Sequence, residues 1–257
     1  MKKTKVIAHR GASAYAPENT LPSFEKAVDV GVDGLELDVH LSKDRELVVI
    51  HDERIDRTSN GTGFVKDLTL AKLKKFDFGS WFNMDFCGTR IPTLGEVIEL
   101  LDRKKWTGLL NIEIKSDIVI YPGIEEKLIN IVKANKLEDR VIFSSFNHQC
   151  LTIIKKLEEK AEIGLLYVSN IVDPWLYAEY LGAAALHPEF HIVYNNPHLV
   201  EKCREKSIAI NAYTVDKEEY LRRLFKYKVD GIITNKPDLA LKVRKNLSKC
   251  SIHSINA

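Results

Sequence analysis

Two stretches of this 257-residue chain place acidic and basic side chains at spacings that can do chemistry. In Leu35-Glu36-Leu37-Asp38-Val39-His40, apolar and polar residues alternate. A period of two is that of a β-strand, so Glu36 and Asp38 share one face, about 7 Å apart along it. Like charges so placed repel unless a cation lies between them, and a hard divalent cation prefers oxygen ligands. The connection from Ser42 to Glu46 is too short for a parallel crossover. Leu47–Ile50 therefore returns as the second arm of a hairpin and delivers His51 beside the carboxylates. The second stretch, Leu110-Asn111-Ile112-Glu113-Ile114-Lys115, sets Asn111, Glu113 and Lys115 on one face. His9 and Arg10 follow the first apolar strand. Glu36, Asp38 and Glu113 suit one divalent cation, Mg²⁺ or Ca²⁺. Arg10 offers a planar fork and Lys115 a point charge to phosphate oxygens. His9 and His51 can divide the acid and base roles. Such a set describes cleavage of a phosphodiester.

The elements that must position these residues follow a regular rhythm. Strands are expected at Lys5–Ala8, Leu35–Asp38, Leu109–Ile114, Val141–Ser144, Ile163–Leu166, Ala184–Leu186, Ile208–Ala212 and Gly231–Ile233, with Leu47–Ile50 set aside as the hairpin return. Helices are expected at Leu21–Val30, Thr93–Lys105, Gly123–Asn135, Asn147–Lys156, Pro174–Leu181, Pro197–Lys206, Lys217–Tyr227 and Asp238–Leu247, before a polar, fraying tail from Ser248 to Ala257. Eight βα units in about 250 residues point to a TIM (β/α)8 barrel. An open doubly wound sheet would show a glycine-rich phosphate turn after its first strand, and His9-Arg10-Gly11-Ala12 is not one. Active sites of such barrels lie at the C-terminal ends of the strands, where His9, Arg10, Glu36, Asp38, Glu113 and Lys115 all stand. Ser144, Ser145, Tyr213, Thr214, Thr234 and Asn235 end later strands. His187-Pro188 and Glu189 follow the sixth strand, at the mouth or in its loop. Residues 52–92 break the rhythm. They hold turn signals, a helical piece near Leu68–Lys75 and the aromatics Phe76, Phe78, Trp81, Phe82 and Phe86. This segment reads as an insertion after the second strand, seated over the site within a single domain of residues 1–257.

Composition bounds the partners. A net charge of +2, well mixed, gives no sign of nucleic acid. No apolar run approaches a membrane span. The basic start is followed by an apolar run, Val6-Ile7-Ala8, far too short for a signal peptide. Cys87, Cys150, Cys203 and Cys250 are scattered without metal or disulfide spacing, which fits reduced thiols and a cytoplasmic location. A homodimer is left open.

With these residues in place, the chain resembles the glycerophosphodiester phosphodiesterase family. The resemblance runs through Ala8-His9-Arg10-Gly11, Ala16-Pro17-Glu18-Asn19-Thr20, Glu36-Leu37-Asp38-Val39, Val49-Ile50-His51-Asp52, Asp56-Arg57-Thr58, Gly61-Thr62-Gly63, Ile91-Pro92-Thr93-Leu94 and Ile112-Glu113-Ile114-Lys115. Val141-Ile142-Phe143-Ser144-Ser145-Phe146 and Gly231-Ile232-Ile233-Thr234-Asn235-Lys236-Pro237-Asp238 extend it over nearly the whole chain. It implies His9 and His51 as acid and base, Glu36, Asp38 and Glu113 as ligands of one divalent cation, and Arg10 and Lys115 on the phosphate. Glu18 matches a positioning residue. The implied reaction is hydrolysis of a glycerophosphodiester to an alcohol and sn-glycerol 3-phosphate, with attack by water or by the glycerol hydroxyl left open. Tyr213-Thr214-Val215-Asp216 departs from the family's frequent Trp-Thr-Val-Asn. Tyr213 keeps an aromatic wall there, and Trp81 and Phe82 of the insertion are its expected companions at the substrate pocket. Two other readings compete: a lysophospholipase D that grips a single acyl chain with those aromatics, and a barrel that binds phosphodiesters without turning them over.

Overall fold

The computed structural model describes residues 3–253, with side chains through Ser248; Cys250 and the end of the expected polar tail lie outside the described side chains. Nine strands form one sheet: β1 (Lys5–Ala8), β2 (Gly34–Leu41), β3 (Leu47–Val49), β4 (Leu109–Ile114), β5 (Val141–Ser145), β6 (Glu162–Tyr167), β7 (Ala185–Pro188), β8 (Ala209–Ala212) and β9 (Gly231–Thr234). Eight are parallel, and β1 pairs with both β2 and β9, so the sheet closes on itself. β3 is the exception. It pairs only with β2, antiparallel, with Val39 opposite Val49 and Leu41 opposite Leu47. The fold is a closed TIM barrel carrying a hairpin arm.

Among the described residues, ten α-helices punctuate the strands: α1 (Leu21–Asp29), α2 (Leu70–Leu73), α3 (Leu94–Arg103), α4 (Ile124–Ala134), α5 (His148–Leu157), α6 (Pro174–Leu181), α7 (Phe190–Asn195), α8 (His198–Glu205), α9 (Glu218–Tyr227) and α10 (Pro237–His253). The sequence signals that place them are local. At α3, Thr93 Oγ1 accepts from the Glu96 amide and Glu96 accepts from the Thr93 amide, which satisfies two amides the helix start would leave bare. The apolar face beyond it, Leu94, Val97, Ile98 and Leu101, is buried against the barrel. The sequence rhythm does not announce α7: it has six residues, and its start is capped by Glu189, whose carboxylate accepts from the His191 amide. α10 runs on to His253, past the Ser248 at which fraying is expected.

The parallel strands are buried on both faces. In β2 all eight residues are buried, with Leu35, Leu37 and Val39 turned to the helices and Glu36 and Asp38 to the barrel interior. His187 corrects a sequence expectation. It lies neither at the mouth nor in a loop but inside β7, fully buried, with Nε2 2.9 Å from Asn211 Nδ2 on β8. Burial lowers its imidazole to about 3, so it stays neutral. Its ring fills the space above Gly164: a Cβ added there would stand 2.5 Å from His187 Nε2. Gly164→Ala is therefore expected to destabilise the protein by about 1–3 kcal/mol, the usual result of overpacking. Thermal unfolding checks it, at roughly 2–4 °C per kcal/mol for a chain of this size.

Residues 52–92 leave the hairpin after β3 and return to it. The Val49 amide donates to the Pro92 carbonyl at 2.9 Å, and Val48 bridges to Thr93, so departure and return lie side by side. The segment has a small core of its own, in which Ile55, Val65, Leu68, Leu73, Phe78 and Ile91 pack against Val48 and Ile50. The helical piece expected near Leu68–Lys75 is present only as α2.

Candidate active site

Glu36, Asp38 and Glu113 meet because adjacent strands are in register. Asp38 on β2 stands directly opposite Glu113 on β4, and Glu36 is two residues back on the same face. One carboxylate oxygen from each lies within 4.8 Å of the others, and all three residues are buried. One oxygen of each is held by a donor. Glu36 Oε2 accepts from the Arg10 amide at 2.8 Å, Asp38 Oδ2 from Asn19 Nδ2 at 2.7 Å, and Glu113 Oε1 from Lys115 Nζ at 2.8 Å. Glu36 Oε1 and Asp38 Oδ1 are buried without a hydrogen-bond partner. A buried anionic oxygen without a partner is costly, and two of them within a cluster of three carboxylates fit a divalent cation.

The electrostatics agree. Burial, then the neighbouring Asp38 and Glu113 charges, raise Glu36 well above the usual carboxylate range. Burial and Asp38 also raise Glu113. Burial also pushes on Asp38, but Arg10, His51, Lys115 and the Asn19 bond outweigh it and bring it down to about 2. Burial opposes the Lys115 ammonium, yet Glu113 and Asp38 hold it charged.

The two histidines flank this cluster in different company. His9 ends β1, with Nε2 3.9 Å from Glu36 Oε2 and Nδ1 2.7 Å from Asn235 Oδ1. Burial, reinforced by Arg10, lowers it to about 4. His51 follows β3. Its Nδ1 is 2.6 Å from Asp52 Oδ1, and Lys115 Nζ lies 3.3 Å from its Nε2. The His51 carbonyl accepts from His40 Nε2, whose Nδ1 in turn accepts from the Tyr121 hydroxyl at 2.9 Å. His40, the third polar residue of the alternating strand, thus fixes the backbone that carries His51.

Arg10 and Glu18 are drawn into a chain of ion pairs. The Arg10 guanidinium meets Glu18 at 2.8 Å and Asp38 at 3.3 Å. Arg57, from the insertion, grips Glu18 with Nη1 and Nη2 and Asp52 with Nε and Nη2, at 2.7–3.0 Å. In the sequence, Arg57 and Asp52 stand inside motifs without a role of their own. Their part emerges when the hairpin and the loop after β1 come together. Arg57→Ala is expected to lower kcat about tenfold, the equivalent of roughly 1.4 kcal/mol in the barrier. The melting temperature should barely move, because Arg57 is half exposed. Steady-state kinetics beside thermal unfolding test this; an unchanged kcat would show that Asp52 holds His51 unaided.

Tyr213 stands near the carboxylates. Its hydroxyl donates to the Tyr167 carbonyl at 3.1 Å, and its ring meets Phe146 edge-on, while Lys115 Nζ lies over the Phe146 ring. Trp81 and Phe82 are placed differently. Trp81 Nε1 donates to the Phe78 carbonyl, and its ring meets Phe82 edge-on, which in turn meets Phe86. Their ring contacts tie them to one another within the insertion.

Fold and site together are those of a closed TIM barrel with a buried carboxylate cluster on its strands β2 and β4. The sequence pattern of the Glycerophosphoryl diester phosphodiesterase family matches residues 9–239, and the chain belongs to that family. It is 52% identical to a glycerophosphodiester phosphodiesterase of Caldanaerobacter subterraneus, over 95% of this chain and 99% of that one. It is 38% identical to one from Bacillus subtilis, over 93% and 86%. Among solved structures, an Oleispira antarctica phosphodiesterase in complex with the product sn-glycerol-3-phosphate superposes with a TM-score of 0.85 at 30% identity, covering 94% of this chain and 96% of that one.

Proposed function

We propose that the protein hydrolyses glycerophosphodiesters to an alcohol and sn-glycerol 3-phosphate, with His9 and His51 transferring the protons. The observation that carries this reading is the pair of histidines flanking three buried carboxylates and Lys115, in a family whose Oleispira member is described with that product bound. Glu36, Asp38 and Glu113 would hold one cation, Mg²⁺ or Ca²⁺, which supplies positive charge to polarise the phosphoryl oxygens. Lys115 adds fixed positive charge on the His51 side, and Arg10 does so on the His9 side. His9, neutral and with Nε2 turned to the cluster, takes the proton of the attacking oxygen. His51, with its Nδ1 held 2.6 Å from the Asp52 carboxylate, gives a proton to the leaving alkoxide. Free thiols at Cys87, Cys150 and Cys203 suit a reducing cytoplasm, and among the described residues no helix is long and apolar enough to cross a membrane.

A single-chain lipid is the second reading of the substrate. The loops that follow β4 and β6, at the C-terminal ends of the strands, leave Ile118, Ile120, Val168 and Val172 well exposed, Val172 by 87%. Release of glycerol 3-phosphate from glycerophosphocholine, beside choline release from lysophosphatidylcholine, separates the two. Glycerol 3-phosphate from the first substrate supports the main reading, choline from the second alone supports the lipid reading, and turnover of neither removes both.

A further inference from the structure

His9 has a neutral partner where His51 has a carboxylate, and what sets the orientation of that partner lies one residue further out. Asp216, in the loop after β8, reaches the end of β9 with both carboxylate oxygens. Oδ1 accepts from the Thr234 hydroxyl at 2.9 Å and from the Asn235 amide at 2.8 Å; Oδ2 accepts from Asn235 Nδ2 at 2.6 Å. An ionised carboxylate can only accept. The Asn235 side chain must therefore turn its NH₂ to Asp216 and its Oδ1 to His9. Ser13 Oγ, whose one hydrogen is shared with the His9 carbonyl at 2.8 Å, also lies 2.8 Å from that oxygen. Facing an oxygen with no hydrogen, His9 Nδ1 has to be the protonated nitrogen, which leaves Nε2 with its lone pair turned toward the carboxylate cluster. The backbone keeps the parts together: the His9 amide donates to the Thr234 carbonyl and the Ala14 amide to the Asn235 carbonyl. The three side chains line one wall of a cavity of about 330 Å³ beside the site.

We propose that Asp216 is a positioning residue: acting through Asn235, it fixes the tautomer of His9 so that Nε2 is a proton acceptor. This rests on the reading of His9 as a proton-transfer residue. Residue 216 is also one of the two positions at which Tyr213-Thr214-Val215-Asp216 departs from the family's frequent Trp-Thr-Val-Asn. The logic of donors and acceptors makes it reversible. In Asp216→Asn, Oδ1 still accepts from Thr234 and the Asn235 amide, but the new side-chain NH₂ faces the NH₂ of Asn235. Asn235 then flips, presents NH₂ to His9 Nδ1, and drives the proton to Nε2. In the double variant Asp216→Asn with Asn235→Asp, the new NH₂ at position 216 donates to one oxygen of the new carboxylate at position 235, and His9 Nδ1–H donates to the other. The original tautomer returns.

The test compares the full-length parent, D216N and D216N/N235D with glycerophosphocholine in excess divalent cation, beside long-range ¹H–¹⁵N NMR of the His9 ring. D216N should lose at least about tenfold in kcat with KM little changed, since a wrong tautomer removes proton transfer rather than binding. Its His9 signals should change from the Nδ1–H to the Nε2–H pattern, and the double variant should regain both rate and signal. A D216N enzyme with parental kcat and an Nδ1–H His9 overturns the proposal, as does a folded double variant that stays slow with His9 in the Nε2–H form. If the parent itself turns over nothing, the functional reading fails, and the NMR comparison alone decides whether Asp216 sets the tautomer.

Discussion

His51→Ala and His9→Ala are each expected to fold like the parent and to lose turnover by about 10²–10⁴-fold, the usual worth of one general acid or base. Neither side chain belongs to the apolar core; His51 is about a third exposed, and its backbone is held separately by His40 and by the hairpin. Truncation should therefore spare the melting temperature. The two losses should also differ in character. A leaving group that needs no proton, such as p-nitrophenolate, relieves the acid but not the base. With a p-nitrophenyl phosphodiester of glycerol, His51→Ala should recover most of its rate while His9→Ala stays slow. The opposite pattern would exchange the two roles, and full activity in either variant would remove that histidine from the chemistry.

The second large effect concerns the cation. Stripping by a chelator should abolish turnover, and refilling with Mg²⁺ or Ca²⁺ should restore it. Stability should report the same event without any substrate. Glu36 and Glu113 have folded-state values raised above the ordinary carboxylate range. Their contribution to stability is fully present below about pH 4.3, where the unfolded groups protonate. It is lost as pH rises through their raised folded values. Asp38 works the other way, its contribution present above about pH 3.9 and lost only as pH falls through about 2. The stripped protein should thus soften on going from mildly acid to neutral pH. Cation at a hundredfold excess over its dissociation constant adds about 2.7 kcal/mol, or roughly 5–11 °C in a chain of this size. At a fixed cation concentration the gain should grow with pH, because the carboxylates lose their protons and the dissociation constant falls. In Glu113→Gln one repelling charge is gone, so the stripped variant should melt no lower than the stripped parent yet need more cation for activity. A melting temperature indifferent to added Mg²⁺ and Ca²⁺ would contradict the assignment of the cluster.

The carboxylate cluster was legible because it depends on alternation within two strands and on their pairing as neighbours. Glu36, Asp38 and Glu113 needed no side chain from a distant loop. The barrel was legible for a similar reason: buried parallel strands and amphipathic helices each carry their own period. Where the signal was short, the reading slipped. β7 runs two residues further than its apolar run suggests, and that shift carries His187 from the mouth into the interior. α7 has too few residues to show a period. Asn235 was visible only as a polar residue at a strand end, and Asp216 only as a departure from a family pattern. The bonds between them require β8 and β9 to pair side by side, which neither strand's own pattern displays. Arg57 belongs to the same kind, since its two carboxylate partners come from different loops.

The insertion begins and ends at adjacent points of the hairpin, with Val49 bonded to Pro92 and Val48 bridged to Thr93. A loop whose two ends are already pinned together changes length at small entropic cost. Most of residues 59–91 can therefore act as an exchangeable cassette. Selection, or an engineer, can enlarge, shrink or replace it while β4, β2 and β3 hold the metal-ligand candidates and the strand that leads to His51 in one hydrogen-bonded ladder. Changes in that segment would leave the ladder, and the candidate proton-transfer residue His51 that follows it, in place.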